Sequence, residues 1–83
     1  MRIARIDISS TKGRATVFRS GTDIVINVSR LIGRDDSWVV PARPTAAGER
    51  RVAARRLQTE LDGVYGTHGD VAEYERVIET FAD

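Results

Sequence analysis

Four arginines fall within seven positions in Glu49-Arg50-Arg51-Val52-Ala53-Ala54-Arg55-Arg56, the densest concentration of charged side chains in the chain. On a helix, Arg51 and Arg55 stand four residues apart and stack two guanidinium groups on one flank, which Arg50 and Arg56 widen. Such a flank offers bidentate contacts to carboxylate or phosphate. Positive charge in the first turns of a helix opposes its dipole, so an anionic compensator is expected. Three are open: the acidic C-terminal segment of this chain or of another subunit, with Glu60 also four residues beyond Arg56; an acidic surface on a protein partner; or nucleic-acid phosphate. Arg50, Arg51, Arg55 and Arg56 are therefore candidate partner-binding residues. Trp38, the lone tryptophan, joins them: it reads as a core or hairpin residue, or, if exposed, as an interface anchor.

Residues for catalysis are scarce. There is no cysteine, which removes disulfides and thiolate metal sites, and the single histidine, His68, makes neither a triad nor a metal site alone. Gly63, Gly66 and Gly69 lack the Lys-Ser/Thr that a phosphate loop requires and read as turn geometry. No catalytic residue, metal or cofactor is assigned, and an enzyme is not expected.

Charge is divided along the chain. Residues 1–56 carry twelve bases against five acids, and residues 57–83 carry one base against seven, so a portion of net +7 precedes one of −6. Twelve of the thirteen bases are arginine, a bias that fits GC-rich codon usage. With 83 residues, 41% of them hydrophobic, the chain fits one small domain that buries roughly 60–65% of its unfolded surface. No stretch approaches the roughly 18 to 20 apolar residues of a membrane span. Nothing at the N-terminus reads as a signal peptide, and a cytoplasmic location without membrane contact is expected.

The elements that must position these residues follow from periodicity. Ile3 to Ile8, Ala15 to Phe18 and Ile24 to Val28 alternate as strands, with Ala4, Ile6 and Ile8 on one face of the first and Ile24, Ile26 and Val28 on one face of the third. Arg19-Ser20-Gly21-Thr22 predicts a tight hairpin, and Ser37 to Val40 a fourth short strand. The expected fold class is α+β, an N-terminal antiparallel β-meander of three or four strands followed by a C-terminal helical hairpin. Its parts are a meander over 1–40, a proline hinge at 41–44 and two helices over 45–83. Thr45 is the expected cap of the first helix, whose stripe is Ala53, Ala54, Leu57, Leu61 and Val64 and whose end falls around Gly63 to Gly66. Asp70 and Glu73 have capping-box spacing at the start of the second helix. Val71, Tyr74, Val77, Ile78 and Phe81 make that helix's apolar face, either core or a surface shared between subunits.

Two resemblances accompany this reading. Residues 6–27, from Ile6-Asp7-Ile8-Ser9-Ser10-Thr11 through Gly21-Thr22-Asp23, resemble the first phosphate-binding hairpin of the actin, Hsp70 and sugar-kinase superfamily. That resemblance implies phosphate contacts from Ser10 and Thr11 and a metal role for Asp7. Ser9 replaces the family's glycine, and the rest of that fold has no counterpart here, so the stretch is taken as a hairpin. In composition the chain resembles small accessory proteins encoded by phages of high-GC bacteria, which implies binding to a host protein and self-association. The expected function is thus a non-enzymatic protein-interaction module that self-associates and modulates a larger protein, with a host protein among the candidates. The alternative is a small nucleic-acid-binding regulator that uses the arginine flank.

Overall fold

The structure, a computed structural model, describes residues 3–62 and 70–83. Strands β1 (Arg5–Ser10), β2 (Gly13–Ser20), β3 (Asp23–Arg30) and β4 (Asp36–Pro41) form one antiparallel sheet in the order β1-β2-β3-β4. A single 3-10 turn (Pro44–Ala46) leads into α1 (Ala47–Asp62), and α2 (Val71–Glu79) follows. This is the α+β arrangement expected, with all four strands present.

Period-two alternation decides which side of the sheet is covered. Ala15 and Val17 on β2, Ile24, Ile26 and Val28 on β3, and Val40 on β4 all turn inward and are buried, while Ile6 and Ile8 on β1 are half-buried at the margin of the same cluster. The helices supply the other half of the core. Ala53, Ala54, Leu57 and Leu61 from α1 join Tyr74 and Ile78 from α2 and Phe81 beyond it. Val71 and Val77 pack half-buried against that cluster. The apolar face of α2 is therefore core of this chain. Burial of this one cluster is shared by sheet and helices, so the boundaries at 40 and 45 mark a change of secondary structure within one packing unit.

Local chemistry fixes the turns. In the β2–β3 hairpin Gly21 takes φ +61° while Thr22 keeps an ordinary φ, the pattern of a type II′ turn. Asp70 caps α2 as its spacing predicts, its carboxylate accepting the Glu73 amide at 2.8 Å. Two expectations are corrected. Thr45 does not cap α1, because Pro44, with its φ already preset, opens the 3-10 turn one residue earlier and Arg43 occupies the capping position without a side-chain bond. The segment 41–44 is a fastened corner, not a hinge. Pro41 still pairs with Asp23, and the Ala42 amide donates to Thr22 O at 3.0 Å while Ala42 O accepts the Asp83 amide at 2.8 Å. Val64, His68 and the glycines at 63, 66 and 69 lie outside the described residues.

Gly13 opens β2 where it presses against β3. A Cβ there would strike the Ser29 carbonyl and come within 2.8 Å of Arg30 Cα, at a φ of +154°. Backbone cannot yield as a flexible side chain does. Gly13→Ala is expected to lower stability by about 2 kcal/mol, measured as a lower urea midpoint with unchanged m-value. Gly48→Ala, which meets nothing within 4 Å on exposed α1, should be neutral or stabilising.

Candidate interaction site

The four arginines of α1 do not form one open surface. Arg50 lies on the core stripe of α1, four residues after Ala46 and four before Ala54, and only 2% of it is exposed. Its Nε donates to Glu79 Oε1 at 2.7 Å, and one terminal nitrogen donates to the carbonyls of Pro41 at 3.0 Å and Arg43 at 2.7 Å. This corrects its assignment to an exposed, partner-binding flank: a guanidinium can be buried when a carboxylate and backbone oxygens surround it. Arg51 leans toward α2, where its Nε donates to Glu75 Oε1 at 3.4 Å. Arg56 leans the other way, donating to Asp36 Oδ2 on β4 at 2.7 Å. Arg55 makes no ion pair among the described residues and lies exposed beside Val52.

Trp38 is half-buried against the core with its ring beneath the Arg56 guanidinium, whose central carbon stands 4.0 Å from the ring centroid. Three groups converge there: Arg56, Asp36 and, on the next turn of α1, Glu60, which lies 3.7 Å from Arg56 Nε. The Asp36 carboxyl is held below its ordinary range by the facing Glu60 carboxyl and then by Arg56. Glu60 is pushed above its ordinary range first by burial and then by Asp36. A carboxyl pair with values driven apart can hold one proton between them. Sequence spacing does not single out these acids as a pair, because strand and helix bring them together only on folding.

A second assembly lies at the end of the sheet where the β1–β2 turn meets the β3–β4 loop. Pairing of Gly13 with Arg30 and of Arg14 with Ser29 sets Arg14 and Arg30 at the same end of neighbouring strands but on opposite faces of the sheet, and Arg34 follows in the loop. None of these three arginines makes an ion pair among the described residues. Between Arg30 and Arg34 the loop presents Leu31 and Ile32, which are 79% and 92% exposed. The loop is fastened, with the Leu31 amide donating to Lys12 O at 3.0 Å and Arg30 Nε to Arg34 O at 3.2 Å. Sequence reading missed this site. The available signal was an apolar pair inside a basic, glycine-containing turn, Arg30-Leu31-Ile32-Gly33-Arg34, away from every alternating stripe.

An open depression of 570 Å³ lies beside Arg19 and Asp83, whose side chains are bonded to each other at 2.8 Å. Two of the residues carrying the resemblance to a phosphate-binding hairpin are engaged within the fold: Asp7 accepts the Thr16 hydroxyl at 3.2 Å, and the Ser10 hydroxyl donates to Leu61 O at 2.9 Å. Among the described residues no three or more of His, Cys, Asp and Glu are grouped to hold a metal, and no helix is long and apolar enough to cross a membrane.

The sign of each contribution at the carboxyl pair sets a pH window. Glu60 binds its proton more tightly in the fold, so it favours the fold below the ordinary glutamate value of 4.5 and loses that contribution as pH rises through its raised value. Asp36 favours the fold above its ordinary 3.8 and loses that contribution as pH falls through its lowered value. Glu60→Gln, which fixes the neutral form, is expected to raise the melting temperature near pH 7 and to flatten the decline in stability expected of the parent chain as pH rises above 4.5. At Arg50, truncation to Met should cost about 3 kcal/mol in urea unfolding, because two backbone carbonyls lose their donor and Glu79 its partner. Arg51→Met should cost under about 1 kcal/mol, since that ion pair is in contact with water.

Comparisons of the chain with protein-family models, with curated proteins and with solved structures found no match.

Proposed function

We propose that this protein is a non-enzymatic binding module that docks on a larger protein through the apolar tip Leu31-Ile32, with Arg14, Arg30 and Arg34 meeting acidic groups around the pocket that receives it. The observation that carries this reading is the exposure of Leu31 and Ile32, 79% and 92%, on a loop already fixed by two hydrogen bonds. An apolar pair held in water gains on transfer to a partner's pocket, and a fastened loop loses little conformational freedom in doing so. Arginines around an apolar centre supply orientation and steering. The composition shared with phage accessory proteins points to a host protein as the class of partner, whose activity the bound module would modulate.

Nucleic-acid binding through α1 has less support. Arg50, Arg51 and Arg56 are engaged by Glu79, Glu75 and Asp36, which leaves Arg55 as the one guanidinium of that flank without an ion pair among the described residues. Phosphate rewards charge and gives no return for an exposed isoleucine.

The test uses the full chain immobilised in a native lysate, with retained proteins identified and then purified for titration. Ile32→Asp is expected to weaken binding of the retained protein at least tenfold while circular dichroism stays unchanged, and Arg55→Glu to leave it within about twofold. Equal binding by Ile32→Asp overturns the reading. So does tight binding of a labelled oligonucleotide whose affinity falls steeply with added salt, the signature of counterion release.

A further inference from the structure

We propose that β1 is a self-pairing edge, and that two copies of this chain join through antiparallel β1–β1 contact centred on Ile6. The sheet has two edges, and they differ. β4 ends in Pro41, which has no N–H to offer, and its Asp36 is tied back to Arg56 on α1. β1 has six residues without proline, and its pairing with β2 runs unbroken from Arg5↔Phe18 to Ser10↔Gly13, so its outer side presents a straight row of backbone donors and acceptors. Helix α1 packs chiefly over β2, β3 and β4, which leaves Ile6 and Ile8 only half-buried. A second copy alongside would continue the sheet and bring another pair of isoleucines to that margin.

Charge selects the register. Two identical antiparallel strands are related by a dyad normal to the sheet, which keeps the core faces of both copies on one side and allows each residue to face only residues of its own face. Centring on Asp7 sets Asp7 against itself, and centring on Arg5 sets Arg5 against itself; both place like charges opposite each other. Centring on Ile8 faces Asp7 with Ser9 and carries Arg5 beyond the strand. Centring on Ile6 places Arg5 of each copy opposite Asp7 of the other, twice, on the open face, and Ile6 against Ile6 on the core face. The side chains that would make these pairs are at the surface: Arg5 and Asp7 are 66% and 49% exposed and 3.7 Å apart within one chain. This contact is separate from the Leu31-Ile32 tip and does not depend on it.

Sedimentation equilibrium over a range of concentrations reads the outcome. The parent chain is expected to reach twice its 9.2 kDa mass. Arg5→Asp and Asp7→Arg, each alone, should weaken the dimer about tenfold or more, since each turns two attractive cross-strand pairs into repulsive ones. Both substitutions combined in one chain restore opposite charges in the same register, and the dimer should return. Mixing the two single variants should likewise yield a heterodimer, since the carboxylates at positions 5 and 7 of one copy then face guanidinium groups on the other. Circular dichroism on every variant confirms that the fold survives at these exposed sites. A parent chain that stays at 9.2 kDa throughout overturns the proposal, as does a dimer indifferent to the single changes or not rescued by the exchange.

Discussion

The fold depends on one buried cation. Arg50 takes a position on α1 that an apolar residue would normally fill, and from there its guanidinium reaches the end of β4, the corner after it and the last turn of α2. A charge at that depth would be strongly unfavourable alone. Here it has a carboxylate and two carbonyls, so desolvation is offset by bonds that no hydrocarbon could make. One set of bonds thus joins α1, the last turn of α2 and the chain's corner in this packing.

Seen from that bond, the division of charge along the chain is a folding device. Among the described residues, three ion pairs join the basic first portion to α2 and the residues after it. Arg50 meets Glu79, Arg51 meets Glu75, and Arg19 on β2 ties the C-terminus by bonding Phe81 O and the Asp83 carboxylate, each at 2.8 Å. Ion pairs at the surface contribute little singly. Their arrangement matters because they all oppose the same opening, the peeling of α2 and the C-terminal residues away from the rest.

How much of this is legible in the sequence follows from where each contact is encoded. The strands are readable because burial on one face forces strict alternation, and the Asp70 cap because its partner lies three residues away. Arg50 is misplaced by sequence reasoning for a physical reason. Its spacing to Ala46, Ala53 and Leu57 puts it on the core stripe, but arginine is so rarely buried that type outweighs position. Thr45 reads as a cap because local hydroxyl chemistry favours it, and Pro44 overrides that preference. The Asp36–Glu60 pair and the gathering of Arg14 and Arg30 at the end of the sheet beside Leu31 depend on which strand neighbours which, and periodicity carries no such information.

The exposed tip gains weight from the size of the chain. A domain of this length has few large apolar side chains, and its whole net stability is expected to be about 5–15 kcal/mol. Leaving a leucine and an isoleucine in water forgoes about 1.5–3 kcal/mol apiece relative to burying them. Val39 and Val52 are also exposed, but each sits at a single outward position of a regular element, where an isolated apolar residue is ordinary. Leu31 and Ile32 are adjacent, lie in a fastened loop and are bracketed by Arg30 and Arg34, neither of which makes a close ion pair among the described residues. Those conditions leave a large unrealised hydrophobic gain at one point on the surface, beside charges that select which surface can realise it.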